Sequence, residues 1–114
     1  MLDYNKILQE IKPTKEEQNY LLEESDKLIK SLNKSLKGAK ARLGGSLAKN
    51  TNIRGDKEVD IFAAFSYLRY KDKDVSKELG KLLKRHKPKK IHGSRDYFQI
   101  KSKDINFEII PVLY

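Results

Sequence analysis

No cysteine occurs among the 114 residues, so disulfides, thiolate metal sites and thiol nucleophiles are all excluded. That absence fits a reducing cytoplasm. No apolar run approaches the roughly 18 residues that a membrane span needs. The N-terminus also lacks the charged-then-apolar pattern of a signal peptide, so the expectation is a soluble, unexported, cytoplasmic protein. Internal repeats, low-complexity tracts and long linkers are missing too. The length suits one domain, residues 1–114, opening with a helical segment over about 1–37. Acid is scarce in one long stretch. Residues 66–103 hold thirteen Lys/Arg against four Asp/Glu, whereas residues 44–65 hold three of each. Nearly all of the formal +9 charge therefore sits in one segment, which suits a polyanionic partner.

Apolar spacing at Tyr4, Ile7, Leu8 and Ile11 predicts a short amphipathic helix broken by Pro13. Thr14 and Glu17 have capping-box spacing, and a stripe of Leu21, Ser25, Leu28, Leu32 and Leu36 predicts a second helix running to Gly38. A strand over 39–43, a glycine turn and a short helix from Ser46 to about Thr51 should follow. A strand over 59–67 comes next. Asp74 caps a helix ended by Pro88, and strands are expected at 89–92, 97–101 and 105–113. The order predicts an α/β (α+β) fold: a mixed sheet of about five strands with helices mainly on one face.

Two stretches carry chemistry. Gly44-Gly45-Ser46 opens a helix, and such a turn offers backbone N–H groups and a hydroxyl to a phosphate. After eleven intervening residues comes Glu58-Val59-Asp60. Strand alternation points Glu58 and Asp60 one way and Val59, Ile61, Ala63 and Phe65 into a core. In the last strand Ile105, Phe107 and Ile109 share one face, leaving Asp104, Asn106, Glu108 and Ile110 on the other. If the two strands lie side by side, Glu58, Asp60 and Glu108 converge. Three carboxylates can hold two divalent cations about 3.5–4 Å apart, the clamp used for in-line phosphoryl chemistry, with Glu108 able to accept a hydroxyl proton. Asp104 competes with Glu108, but it lies roughly 13 Å away along the strand and falls in a turn. The basic face Lys77, Lys81, Lys84 and Arg85 is expected to line a nucleic-acid path.

The run from Leu43 to Phe65 resembles the signature of the DNA polymerase β-like nucleotidyltransferase superfamily, and most of all the catalytic head of archaeal (class I) CCA-adding tRNA nucleotidyltransferases. The matching positions are Gly45, Ser46, Ala48, Lys49, Thr51, Glu58, Asp60 and Phe62, then Glu108 before Ile109, Ile110 and Pro111. The resemblance implies the polymerase β-like fold. It also implies that Gly45, Ser46, Lys49 and Thr51 bind the nucleotide, and that Glu58, Asp60 and Glu108 ligate two Mg2+ ions. The implied reaction moves a nucleoside monophosphate from CTP or ATP to an RNA 3′ end, with a tRNA acceptor as partner and pyrophosphate leaving. Glu108 stands where Asp is usual, one methylene longer. Those relatives continue into domains that choose the base and hold tRNA. The expectation is thus an excised head, or a minimal enzyme whose protein partner or own copies supply the rest, with an exposed face where the missing part would pack. The other reading is a nucleotidyltransferase-like binding module, an antitoxin or assembly subunit with little catalysis.

Overall fold

A computed structural model describes residues 3–93 and 95–114. Helix α1 spans Tyr4–Ile11 and α2 spans Lys15–Ser35. Strand β1 (Ala39–Leu43), helix α3 (Gly45–Ala48) and strand β2 (Glu58–Phe65) come next. Helices α4 (Tyr67–Tyr70) and α5 (Val75–Leu82) lead to a 3-10 turn at Lys84–His86. Strands β3 (Lys89–Ile91), β4 (Tyr97–Ser102) and β5 (Ile105–Leu113) complete one five-stranded sheet in the order β1-β2-β5-β4-β3. Only β2 and β5 run parallel; the other neighbours are antiparallel. The sheet is mixed, as expected.

Alternation decides which way each strand faces. Val59, Ile61, Ala63 and Phe65 of β2, with Ile105, Phe107 and Ile109 of β5, are all buried. Leu21 and Leu32 of α2, and Leu79 and Leu83 at α5, cover them from one side. Large apolar side chains contribute about 1.5–3 kcal/mol each when fully buried. A one-residue slip of β2 would turn Val59, Ile61 and Phe65 outward, at a cost of about 5–9 kcal/mol, comparable with a whole domain's stability. The opposite face, bearing Glu58, Asp60 and Glu108, is therefore fixed toward solvent.

Several boundaries differ from the sequence expectation. The strand at 58–65 stops before Tyr67, because Ser66 turns the chain into α4 and the Tyr67 N–H donates to the Tyr114 carbonyl. Helix α5 tightens into the 3-10 turn and ends at Lys87, which is left-handed (φ +50°). Pro88 disfavours right-handed helical backbone at that residue. Helix α2 ends at Ser35, short of Gly38, and α3 ends at Ala48 rather than Thr51. Thr14 does cap the Glu17 N–H, but the Glu17 carboxylate turns away and accepts from the Gly55 N–H at 2.7 Å.

Apolar side chains remain exposed on α1 (Tyr4, Ile7, Leu8, Ile11) and around the end of β5 (Tyr67, Leu68, Leu113, Tyr114). No helix among the described residues is long and apolar enough to cross a membrane.

A polar latch ties α2 to the β4–β5 turn. The Tyr20 hydroxyl donates to Asp104 at 2.7 Å, and the Lys57 ammonium pairs with the same carboxylate. Lys57 first, then Tyr20, holds Asp104 down to about 2, and Asp104 in turn pushes Tyr20 up to about 12. A depressed carboxyl stabilises the fold above its ordinary range, near 4, and loses that contribution as pH falls toward 2. Asp104→Asn should therefore lower the melting temperature at pH 7. The gap to wild type should close between about pH 4 and pH 2, as read by thermal melts across pH.

Candidate active site

Register builds the site. Asp60 of β2 lies directly opposite Glu108 of the parallel strand β5, and Glu58 lies opposite Asn106. All four belong to the face turned away from α2 and α5. Burial is the main force raising Glu108 above the usual glutamate range; hydrogen bonding and repulsion from Asp60 add to it, and Glu58 adds least. Asp60 and Glu108 thus form a close, mutually repelling pair. None of the three carboxylates is ion-paired among the described residues, whose salt bridges all lie elsewhere.

The convergence differs from expectation in one respect. No three acidic or imidazole side chains among the described residues close around a single point. Glu58 and Asp60 are two positions apart on one strand, so their Cβ atoms sit about 6.8 Å apart, and Glu58 is exposed at the rim.

The glycine turn meets this pair directly. The Gly44 N–H donates to the Asp60 carbonyl at 2.9 Å, and a side chain at Gly44 would overlap the Phe62 ring. Gly45 is left-handed (φ +62°), and a methyl group there would overlap the Asp60 carboxylate. Gly44, the residue before α3, has no side chain to cap that helix, which leaves its first N–H groups to outside acceptors. Ser46 sits in this first turn. Its carbonyl accepts from the Thr51 N–H at 2.9 Å, while Lys49 at the end of α3 is exposed.

The loop from the turn to β2 is held by the start of α2. Gln18 bonds both Asn50 and the buried Asn52, and the Asn52 amide returns a bond to Gln18 at 2.7 Å. Arg54 reaches back to the carbonyls of Gln9 and Lys12, which anchors α1. These polar clamps escaped sequence reasoning, since nothing in the spacing of Gln18 and Asn52 marks them as partners.

The basic face of α5 is not brought to the carboxylates. Leu79 packs α5 onto the buried side of the sheet, and Lys77, Lys81, Lys84 and Arg85 are exposed beyond it. Lys81 also pairs with Glu78 at 3.8 Å. Asn106 is an addition that the sequence did not flag. Its side-chain oxygen is shielded from solvent, without a hydrogen-bond donor, opposite Glu58.

A divalent cation fits these residues. The donors are all hard oxygens, uncompensated by lysine or arginine, and Asn106 adds a neutral oxygen beside them. Mg2+ binds through one or two carboxylates together with substrate phosphates. Asp60, Glu108 and Glu58 would hold it, facing the N–H groups of the Gly45–Ser46 turn.

The fold recurs in a solved RNA terminal uridylyl transferase, Cid1. The TM-score is 0.70 at 14% identity, over 94% of this chain and 34% of that one. The chain has the fold of the polymerase β-like nucleotidyltransferases, with a Gly-Ser turn set against an acidic strand. Its similarity in sequence is to archaeal CCA-adding enzymes. It is 34% identical to that of Pyrococcus horikoshii over 118 residues, covering 92% of this chain and 25% of that protein. It is 36% identical to that of Nanoarchaeum equitans over 103 residues, covering 89% and 26%. The chain thus spans about a quarter of the length of these relatives. No family model matches it.

Two substitutions test the geometry. Gly45→Ala forces a left-handed alanine, costing about 1–2 kcal/mol, and overlaps Asp60. It should lower the melting temperature and abolish any rise in it on adding Mg2+ and nucleotide. Glu108→Gln removes the repulsion from Asp60. A carboxyl raised in the folded state binds more protons folded than unfolded, so wild-type stability falls as pH rises through that raised value. Glu108→Gln should melt a few degrees higher than wild type at neutral pH without divalent ions, and the difference should vanish below about pH 4.

Proposed function

We propose that the chain is a Mg2+-dependent nucleotidyltransferase catalytic domain, residues 1–114, that moves a nucleoside monophosphate from CTP or ATP to an RNA 3′ end, a tRNA acceptor in the CCA-adding manner. The observation that carries this reading is the Asp60–Glu108 register on the open sheet face, with the Gly45–Ser46 turn against Asp60. Gly45, Ser46, Lys49 and Thr51 receive the triphosphate. Glu58, Asp60 and Glu108 hold a pair of Mg2+ ions. When bound, the metal neutralises phosphate charge and acidifies the acceptor hydroxyl.

The chain's own groups do the rest. The turn's N–H groups orient the triphosphate, so that the α-phosphorus faces Glu108. The acceptor 3′-oxygen attacks the α-phosphorus as the bond to the β-phosphate oxygen breaks, and pyrophosphate leaves. The hydroxyl proton passes to Glu108, whose basicity is raised by burial and by the Asp60 carboxylate opposite it. Lys77, Lys81, Lys84 and Arg85 add to the positive field that draws RNA in, from beyond the helix layer.

Incubation with Mg2+, labelled CTP or ATP and a tRNA lacking its 3′ end should label the RNA. Glu58→Gln combined with Asp60→Asn should cut that labelling by roughly a hundredfold or more. Equal labelling by the double variant would remove these carboxylates from the reaction. A melting temperature raised by Mg2+ and nucleotide, without any labelling, would instead identify a nucleotide-binding module.

A further inference from the structure

The open sheet face can be read row by row from the strand pairing. One row runs Lys101, Asn106, Glu58; the next runs Lys89, Gln99, Glu108, Asp60. Residues directly opposite in a sheet point to the same side, so Lys89 and Lys101 share the face of the carboxylates. Strands lie about 4.8 Å apart, which puts Lys89 roughly 10 Å from Glu108, with Gln99 between them. Here β3 is only three residues long, so the second half of β4 has no neighbour beyond it. The gap is a cleft of about 500 Å3, lined by His86, Lys87, Lys89, Gln99 and Lys101.

We infer that this cleft at the β3–β4 edge holds the phosphodiester backbone of the RNA strand whose 3′ end reaches Glu108. This rests on the nucleotidyltransferase reading above. Three observations lead to it. None of Lys87, Lys89 and Lys101 is in an ion pair among the described residues, so three cations face the cleft without an acidic partner. The cleft adjoins Glu108, whereas the Gly45–Ser46 turn adjoins Asp60 on the opposite flank. In-line displacement needs the attacking oxygen and the leaving pyrophosphate on opposite sides of the phosphorus, and a carboxylate pair between two polyanion sites provides that. Third, the alternative cationic surface on α5 lies on the far side of the sheet.

His86, whose pKa is lowered chiefly by burial and then by Arg85, carries little charge at neutral pH. Salt dependence therefore counts the lysines.

The test is anisotropy titration of a labelled single-stranded oligoribonucleotide with a free 3′-hydroxyl over a range of salt. It compares Lys89→Gln with Lys101→Gln against Lys77→Gln with Lys81→Gln, two doubles that lose the same charge. Each phosphate contact on a single strand contributes about 0.7 to the slope of log K against log salt. The cleft double should bind roughly tenfold more weakly near 0.15 M salt, with a slope shallower by about 1.4. The α5 double should lose less than about twofold, since charges beyond a Debye length are screened. Both should keep the wild-type melting temperature and its rise with Mg2+ and CTP or ATP, which shows that they are folded. An unchanged slope in the cleft double, or an equal loss in the α5 double, would overturn the inference and leave the proposed activity standing. A wild-type chain that binds nucleotide but no RNA would also overturn it, leaving transfer to some other acceptor. A chain that binds neither would sink both.

Discussion

Burial of one face of two parallel strands is the constraint from which the site follows. Ile61 and Phe107 are 0% and 1% exposed, and their neighbours at every second position are buried with them. Because side chains alternate, the apolar face cannot go inward without the acidic face going outward. The same force that packs α2 and α5 onto the sheet holds Asp60 and Glu108 in register on the other side. Burial chiefly, and then the Asp60 carboxylate opposite, raise the Glu108 pKa there. The core pins a like-charged pair that would otherwise separate. Sites tolerate such strain when the surroundings over-determine the geometry.

Polar contacts then fix what the core leaves free. The loop between α3 and β2 carries no buried apolar side chain of its own, since Ile53 is exposed. It is ordered instead by Gln18, Glu17 and Arg54, all bonding to or from the N-terminal helical segment. The Tyr20–Asp104–Lys57 latch works at the other end, immediately before Glu58, and the Asn106 N–H donates to the Lys57 carbonyl. Helix α2 thus supports the acidic strand through both the core and hydrogen bonds. Support of this kind is what a constellation held within fractions of an ångström requires.

Local patterns made much of this legible in the sequence. Alternation at 58–65 and 105–110 told which residues face out, and Gly44-Gly45-Ser46 stood out as a turn opening a helix with N–H groups suited to a phosphate. The parallel pairing of β2 and β5 could only be supposed, because 39 residues lie between the two strands and no local signal sets their order. The placement of the α5 cations was less legible for the same reason. A helical wheel shows that Lys77 and Lys81 oppose Leu79, yet it cannot say on which side of the sheet the helix lies. Glu17 had capping-box spacing but a better partner in Gly55, a contact across 38 positions that tertiary structure alone supplies.

Charge on the two sides of the sheet now has a consistent logic. Excess lysine in residues 66–103 looked like one basic surface in the sequence, but the fold divides it. Part decorates α5 outside the helix layer, where it acts at a distance and is screened by salt. Part follows Lys87, where the left-handed backbone before Pro88 turns the chain over the sheet edge and delivers Lys89 to the carboxylate face. A proline-imposed turn thereby moves cations from one face to the other. Contact cations beside an acidic pair are the ones able to position a polyanion for chemistry, because positioning falls off within a few ångströms while attraction does not.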